Sequence, residues 1–152
     1  MKRLITFVCL VFVSGLCYAS DSGGKPAELI VPAKVHVNEA IQGDVEFTWD
    51  EDQPLVLDTW SMKGGCLFGS MTVYEASGHE VPGVYPMSLP LLPDGKRTVR
   101  KGETVRMHLY TMGYTVIPGT GRYYAVAQFS GSMTSEYTVR FTTRKRWFEA
   151  IR

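Results

Sequence analysis

Histidine and methionine are the residue types in this chain that could do chemistry by binding a metal. His36, His79 and His108 are spread widely along the sequence. Six methionines beyond the first residue accompany them: Met62, Met71, Met87, Met107, Met112 and Met133. Imidazole and thioether ligands suit copper. Because the histidines lack the tight spacing of a ligand set, the sequence predicts no cofactor and keeps a copper site near His108 and Met112 only as an alternative.

The usual catalytic signatures are incomplete. The segment His79–Gly83 begins like a zinc-binding HExxH helix, but the second histidine is missing and a proline interrupts it. Ser70 and Ser132 lack the second glycine of a nucleophile elbow, and no pattern beside Cys66 would orient a base. Gly119–Gly121 precedes a predicted strand, so it lacks the helix N-terminus of a phosphate loop. We therefore predict that the protein is not an enzyme, with a hydrolase as the least favoured function.

The N-terminus has the pattern of an export signal. Residues 1–3 are basic, and Leu4 to Val13 form an apolar run that is too short to span a bilayer. We predict a signal peptide over residues 1–19 and a periplasmic or secreted mature protein. A lipid anchor at Cys17 is the disfavoured alternative, since lipoprotein precursors place a small residue before the cysteine and Leu16 stands there.

Removal of the signal changes the cysteine and charge balance. It leaves Cys66 as the one cysteine of the mature chain, so no intramolecular disulfide is expected. About 132 residues are enough for a single domain with its own core. The formal charge falls from +1 to about −1, which argues against a nucleic-acid binder. Charge is uneven, with nine acidic and two basic residues in 21–60 against six acidic and twelve basic residues in 61–152.

Alternation with a period of two dominates the mature chain. Segments such as Asp44–Trp49 and Thr104–Thr111 place apolar and polar side chains on opposite faces. We predict an all-β fold, a single antiparallel β-sandwich of about seven strands. The expected organisation is a flexible leader over residues 20–27, the sandwich over 28–143 and a basic amphipathic tail over 144–152.

One short motif carries a family resemblance. Gly121, Tyr123 and Ala125 alternate in an order that resembles the penultimate strand of immunoglobulin-like domains. The resemblance implies that the Tyr123 hydroxyl bonds upstream backbone, and Ala125 stands where such domains have a cysteine. The chain thus resembles secreted bacterial immunoglobulin-like modules without a disulfide. From Ala76 onward it is also loosely similar to the accessory immunoglobulin-like domains of secreted metallopeptidases, without their catalytic part.

Apolar residues on the predicted outer face suggest where a partner binds. If Tyr123 and Ala125 fill the core, Tyr124 and Val126 face outward and need a cover. That cover is the loop over residues 114–116, the C-terminal tail or another protein. The candidate partner-binding residues are Tyr124, Val126, Arg106, Tyr110, Trp147 and Phe148.

The C-terminal tail, residues 144–152, is predicted to form a separate element. Trp147, Phe148 and Ile151 have one-turn spacing, which favours a short amphipathic helix. Such a tail packs on its own domain, docks on a protein partner or contacts a membrane surface. Together these features predict an exported, noncatalytic protein-binding module with an inhibitor-like or envelope-assembly role.

Overall fold

A computed structural model describes residues 25–60, 65–84, 93–111 and 113–152. These residues form ten strands and no helix, which confirms the predicted all-β fold but with more strands than the expected seven. The strands are β1 (Lys25–Ile30), β2 (Lys34–His36), β3 (Asp44–Thr48), β4 (Leu55–Trp60), β5 (Cys66–Glu75), β6 (Gly95–Val99), β7 (Thr104–Thr111), β8 (Gly121–Ser132), β9 (Thr138–Thr143) and β10 (Arg146–Ile151). The predicted signal peptide, Cys17, Met62, Met87 and Met112 lie outside the described residues.

The strands form one sheet that closes on itself through β8. The order is β2-β10-β8-β9-β1-β3-β7-β5-β4-β6, and β8 also pairs with β5 and β4. Six strands therefore make a ring in which each pairs with the next, in the order β8, β9, β1, β3, β7, β5 and back to β8. The pairs β10–β2 and β4–β6 are attached to this ring. Three pairings, β1–β9, β2–β10 and β5–β7, are parallel, so the expectation of a wholly antiparallel sheet is wrong for these strands.

The core lies inside this ring and is lined by alternate residues of each strand. On β8 the predicted inward residues Tyr123, Ala125, Ala127 and Phe129 are all buried. Phe129 stacks on Phe141 of β9 with ring centroids 4.6 Å apart. The predicted inward faces of β3 and β7 are also confirmed, because the alternate positions of both strands are buried.

The tyrosine that carries the family resemblance makes the predicted backbone contact. The Tyr123 hydroxyl donates a hydrogen bond to the Gly119 carbonyl oxygen at 2.9 Å. Its ring stacks on Phe148 of β10, with centroids 5.8 Å apart. Tyr123 therefore ties the loop before β8 to the C-terminal strand.

Two glycines allow β8 to approach other strands closely. A Cβ atom at Gly69 would lie 2.6 Å from the Gln128 carbonyl oxygen, at the point where β5 leaves β7 and joins β8. At Gly131, where β8 meets β4, a Cβ atom would lie 2.8 Å from Leu55 Cδ1. Only glycine fits such contacts without displacing a neighbour.

The C-terminal tail is a strand, so the prediction of a helix is wrong. β10 pairs antiparallel with β8 and parallel with β2. On a strand, successive side chains face opposite sides. Phe148 and Ala150 are accordingly buried in the core, whereas Trp147 and Glu149 face outward. The tail is thus an integral part of the sheet.

Two other positions differ from their predicted placement. Lys25–Ala27, expected in the flexible leader, belong to β1 and pair with Phe141–Thr143 of β9. The alternation of Tyr137, Val139 and Phe141 with polar residues predicts that Tyr137 lies on the buried face of the last strand. That prediction is wrong, because Tyr137 precedes β9 and is 61% exposed. The buried face of β9 begins at Val139.

Candidate functional site

A row of three aromatic side chains crosses the outer face of β5, β8 and β10. Tyr74, Tyr124 and Trp147 lie directly opposite one another in the strand register. Tyr74 and Tyr124 stack with centroids 5.0 Å apart, and the Tyr124 and Trp147 rings are 4.9 Å apart. Cross-strand aromatic pairs of this kind stabilise a sheet. We call these three residues the aromatic row.

Two cations lie over the aromatic row. The Arg122 guanidinium is 4.5 Å from the centre of the Trp147 ring, and the Lys145 ammonium is 4.5 Å from the centre of the Tyr124 ring. A cation over an aromatic face is worth about 0.5–1 kcal/mol at an exposed site. These contacts fix the orientation of the two aromatic side chains and place positive charge beside them.

The structure identifies which of the expected covers lies over Tyr124. Trp147 and Lys145 of the C-terminal segment pack on its ring, and Tyr124 is only 7% exposed. Phe148 is 3% exposed and belongs to the core. These two candidate residues are therefore not open to a partner, because both are covered within the chain. Val126 is partly buried on the same outer face, and Trp147 remains 39% exposed.

Arg106 and Tyr110 lie on β7, away from the aromatic row. The Arg106 guanidinium forms an ion pair with Asp44 at 3.1 Å. Tyr110 packs edge-on against Trp60, with centroids 4.2 Å apart, and also lies near Phe68. β7 pairs with β3 and β5 and has no pairing with β8 or β10. The six candidate residues thus do not form one surface: three lie on the outer face of β8 and β10, two on β7 and one in the core.

An open groove at the other end of β8 from the aromatic row was not predicted from the sequence. It has a volume of about 1200 Å³ and extends over the outer faces of β5, β8 and β9. Its polar side chains include Ser70, Gln128, Ser130, Arg140 and Thr142. The signal that could have revealed it is the set of outward polar residues at alternate positions in the last part of β8, Gln128 and Ser130, and along β9, Thr138, Arg140 and Thr142.

A charged cluster forms one rim of the groove. Lys25 forms ion pairs with Asp50 at 2.8 Å and with Glu51 at 2.5 Å. Hydrogen bonds to these two carboxylates raise the pKa of Lys25, and the Lys25 ammonium lowers the pKa of Asp50. The N-terminal end of β1 is therefore joined to the turn that follows β3.

The residues considered for metal binding and catalysis are dispersed. His36 Nδ1 lies 3.0 Å from the Arg152 carbonyl oxygen, and His108 Nδ1 lies 3.1 Å from Asp44. His79 lies in a turn after β5. In the described ranges, no group of three or more histidine, cysteine or acidic side chains could hold a metal ion. Cys66 is buried, as expected.

Comparison with known proteins does not assign a family. The sequence matches no protein-family model and no curated protein. Within the part of the chain that the structure describes, no helix is long and apolar enough to cross a membrane. The site must therefore be interpreted from its own geometry and chemistry.

Proposed function

We propose that this protein is an exported, noncatalytic module of the immunoglobulin-like type that binds another protein. The binding surface is the outer face of β8 and β10 around Trp147. The export signal over residues 1–19 supports a periplasmic or secreted location. The hydrogen bond from Tyr123 to Gly119 supports the immunoglobulin-like resemblance, because a corner tyrosine of that type bonds upstream backbone.

The exposed Trp147 side chain is the observation that carries this proposal. Its indole is 39% exposed, yet it is held by Tyr124 on one side and by the Arg122 guanidinium on another. Tryptophan and arginine are enriched among the residues that dominate binding energy at protein interfaces. A side chain that is already ordered also loses little conformational freedom on binding. Trp147 thus supplies an apolar anchor on a rigid support.

Two roles fit an exported module with such a binding face. An exported domain with a rigid binding face can block an enzyme or join an envelope assembly, and both roles need only surface contacts.

Affinity capture tests the proposal. N-terminally tagged mature protein is incubated with envelope extract, and captured proteins are compared between wild type and Trp147→Ala. Tyr114→Ala is the matched control, since Tyr114 is also an exposed aromatic residue but pairs with Val84, outside β8 and β10. We expect a partner that is retained by wild type and Tyr114→Ala and lost by Trp147→Ala, and the same order of affinities with purified components. If Trp147→Ala retains the same partners while remaining folded, the proposed face is wrong.

A further inference from the structure

The outward side chains of β8 form one continuous path. Arg122, Tyr124, Val126, Gln128 and Ser130 occupy alternate positions and share the outer face. β10 lies beside the first part of this path, β9 beside the last part, and β5 along the other side. At about 3.3 Å per residue, the path from Arg122 to Ser130 is ~26 Å long. It joins the aromatic row to the groove.

In the described part of the chain, basic side chains at both ends of the path form no ion pair. The ion pairs among the described residues use other basic side chains: Lys25, Arg97, Lys101, Arg106 and His108. Arg122 and Lys145 at one end, and Arg140 opposite Ser130 at the other, form no ion pair with any residue that the structure describes. The path therefore carries three basic side chains that form no ion pair within the described part of the chain.

Arg122 has N–H donors with which it can bind a carboxylate. Its guanidinium carbon lies 4.5 Å from the centre of the Trp147 ring, and a planar guanidinium presents its N–H donors at its edge. Glu149 lies opposite Arg122 in the register but forms no ion pair with it in the described structure. The N–H edge of Arg122 can thus form charge-assisted hydrogen bonds with an external carboxylate.

Polar side chains cover the middle and far part of the path. Ser70, Gln128 and Thr142 lie directly opposite one another on β5, β8 and β9 and line the groove. Hydroxyl and amide groups both donate and accept hydrogen bonds, as the peptide groups and polar side chains of a bound segment require. Arg140 lies in the same groove.

We propose that this path binds an extended, acidic segment of the protein partner. Carboxylates of the segment contact Arg122 and Lys145 at one end and Arg140 at the other. The inference rests on the proposed function and specifies the chemistry and the length of the partner's binding segment. The surface favours a protein over a lipid membrane, because interfacial binding needs a broad apolar face. Among the described residues beside the path and in its groove, only Trp147 and Tyr137 are exposed large apolar residues. Three cations along ~26 Å are also few for duplex nucleic acid, which carries one charge per about 1.7 Å.

Synthetic peptides test this inference without knowledge of the natural partner. The probe is a fluorescent peptide of alternating Glu and Ser, about eight residues long, because an extended chain needs that length to cover ~26 Å. Binding to the mature protein is measured by fluorescence polarisation at low ionic strength, where surface charges are least screened. We expect Arg122→Gln and Arg140→Gln each to weaken binding by about three- to tenfold. A Gln/Ser peptide of the same length should bind much more weakly.

The matched control is Arg106→Gln. It removes the same charge from β7, where Asp44 already neutralises Arg106, and should leave peptide affinity unchanged. Equal losses for Arg106→Gln and Arg122→Gln, or equal binding of the Glu and Gln peptides, would overturn the inference. So would an unchanged affinity in Arg140→Gln, since the path would then not extend along β8. Binding to vesicles of anionic phospholipid without binding to the Glu peptide would show that the surface recognises lipid instead.

Failure of this inference can be distinguished from failure of the proposed function. In one outcome, a natural partner is lost by Trp147→Ala but still binds Arg122→Gln and Arg140→Gln. The proposed function would then stand, and the acidic binding segment would be wrong. In the opposite outcome, the Glu peptide binds through Arg122 and Arg140 while Trp147→Ala captures the same partners as wild type. The acidic specificity would then stand, and the proposed face would be wrong for the natural partner. Thermal melting of each variant confirms that the substitutions at these exposed positions leave the domain folded.

Discussion

Alanine substitutions at two adjacent residues of the tail should lower the free energy of unfolding by very different amounts, because neighbouring side chains of β10 lie on opposite faces of the sheet. Phe148 is 3% exposed, faces the core and stacks on Tyr123. Trp147 faces outward and is 39% exposed. The experiment is to replace each by alanine separately and to measure the free energy of unfolding.

The expected losses follow from these environments. Replacing a buried phenylalanine by alanine costs about 3–5 kcal/mol, because it loses the transfer free energy of the ring and leaves a cavity. That is a large share of the roughly 5–15 kcal/mol that stabilises a typical domain. Trp147→Ala loses a ring contact with Tyr124, worth about 0.5–1.5 kcal/mol, and a cation–π contact with Arg122, worth about 0.5–1 kcal/mol. We therefore expect a loss of about 1–2.5 kcal/mol for Trp147→Ala.

Urea unfolding followed by far-ultraviolet circular dichroism measures both variants through the backbone of the strands rather than through tryptophan fluorescence. The midpoints should fall in the order wild type, Trp147→Ala, Phe148→Ala, with little change in the slope of the transition. Comparable losses of unfolding free energy in the two variants, or a larger loss for Trp147→Ala, would show that the tail is not a strand with Phe148 inward and Trp147 outward. A surface helix would give that result, since neighbouring positions on a helix share much of their environment.

Three further predictions concern the ring of strands and its loops. Gly131→Ala should destabilise by about 1–3 kcal/mol through overpacking against Leu55, and an unchanged urea midpoint would contradict the close approach of β8 to β4. Tyr123→Phe should cost about 1 kcal/mol through loss of the hydroxyl's hydrogen bond to the preceding loop, and calorimetry showing no fall in melting temperature would exclude that bond in solution. Because Lys25 lowers the pKa of Asp50, the stability from this pair is present above pH 3.8, the ordinary pKa of Asp50, and is lost as the pH falls through the lower folded-state pKa. Melting temperatures measured against pH should therefore show that the advantage of wild type over Lys25→Met shrinks in acid, whereas a constant difference would contradict the ion pair.

The inward faces of the longer strands could be predicted because their alternation is a local property of the sequence. Each of β3, β7 and β8 has apolar side chains at every second position, and the period alone separates core from surface. Tyr123 could be assigned a backbone contact for a similar reason, since its partner Gly119 is only four residues away. Short-range patterns therefore predicted the β class and the core of the central strand.

The tail could not be assigned in the same way. Trp147 and Phe148 are neighbouring apolar residues, which satisfy one-turn helical spacing with Ile151 as readily as they satisfy two faces of a strand. What decides between these structures is pairing with β8 and β2, both remote in sequence. Tertiary pairing overrides local preference in such a short segment.

The aromatic row could not be predicted from the sequence for a related reason. Tyr74 and Tyr124 meet only because β5 leaves β7 at Gly69 and joins β8 in one particular register. A shift of one residue would turn either tyrosine to the other face. The sequence indicated that Tyr124 needed a cover, but the register was needed to show that Tyr74 and Trp147 supply it.

The strand geometry of the tail also determines which experiments can separate binding from folding. Deletion of residues 145–152 would remove the exposed Trp147 together with the buried Phe148, and it would leave β8 and β2 without a strand between them. Loss of a partner after that deletion would follow equally from a missing anchor and from an unfolded domain. Single substitutions avoid this ambiguity, because alternate residues of β10 belong to different faces. A partner that is lost by Trp147→Ala while the variant remains folded would bind the outer face itself, since the core side of β10 is unchanged in that variant.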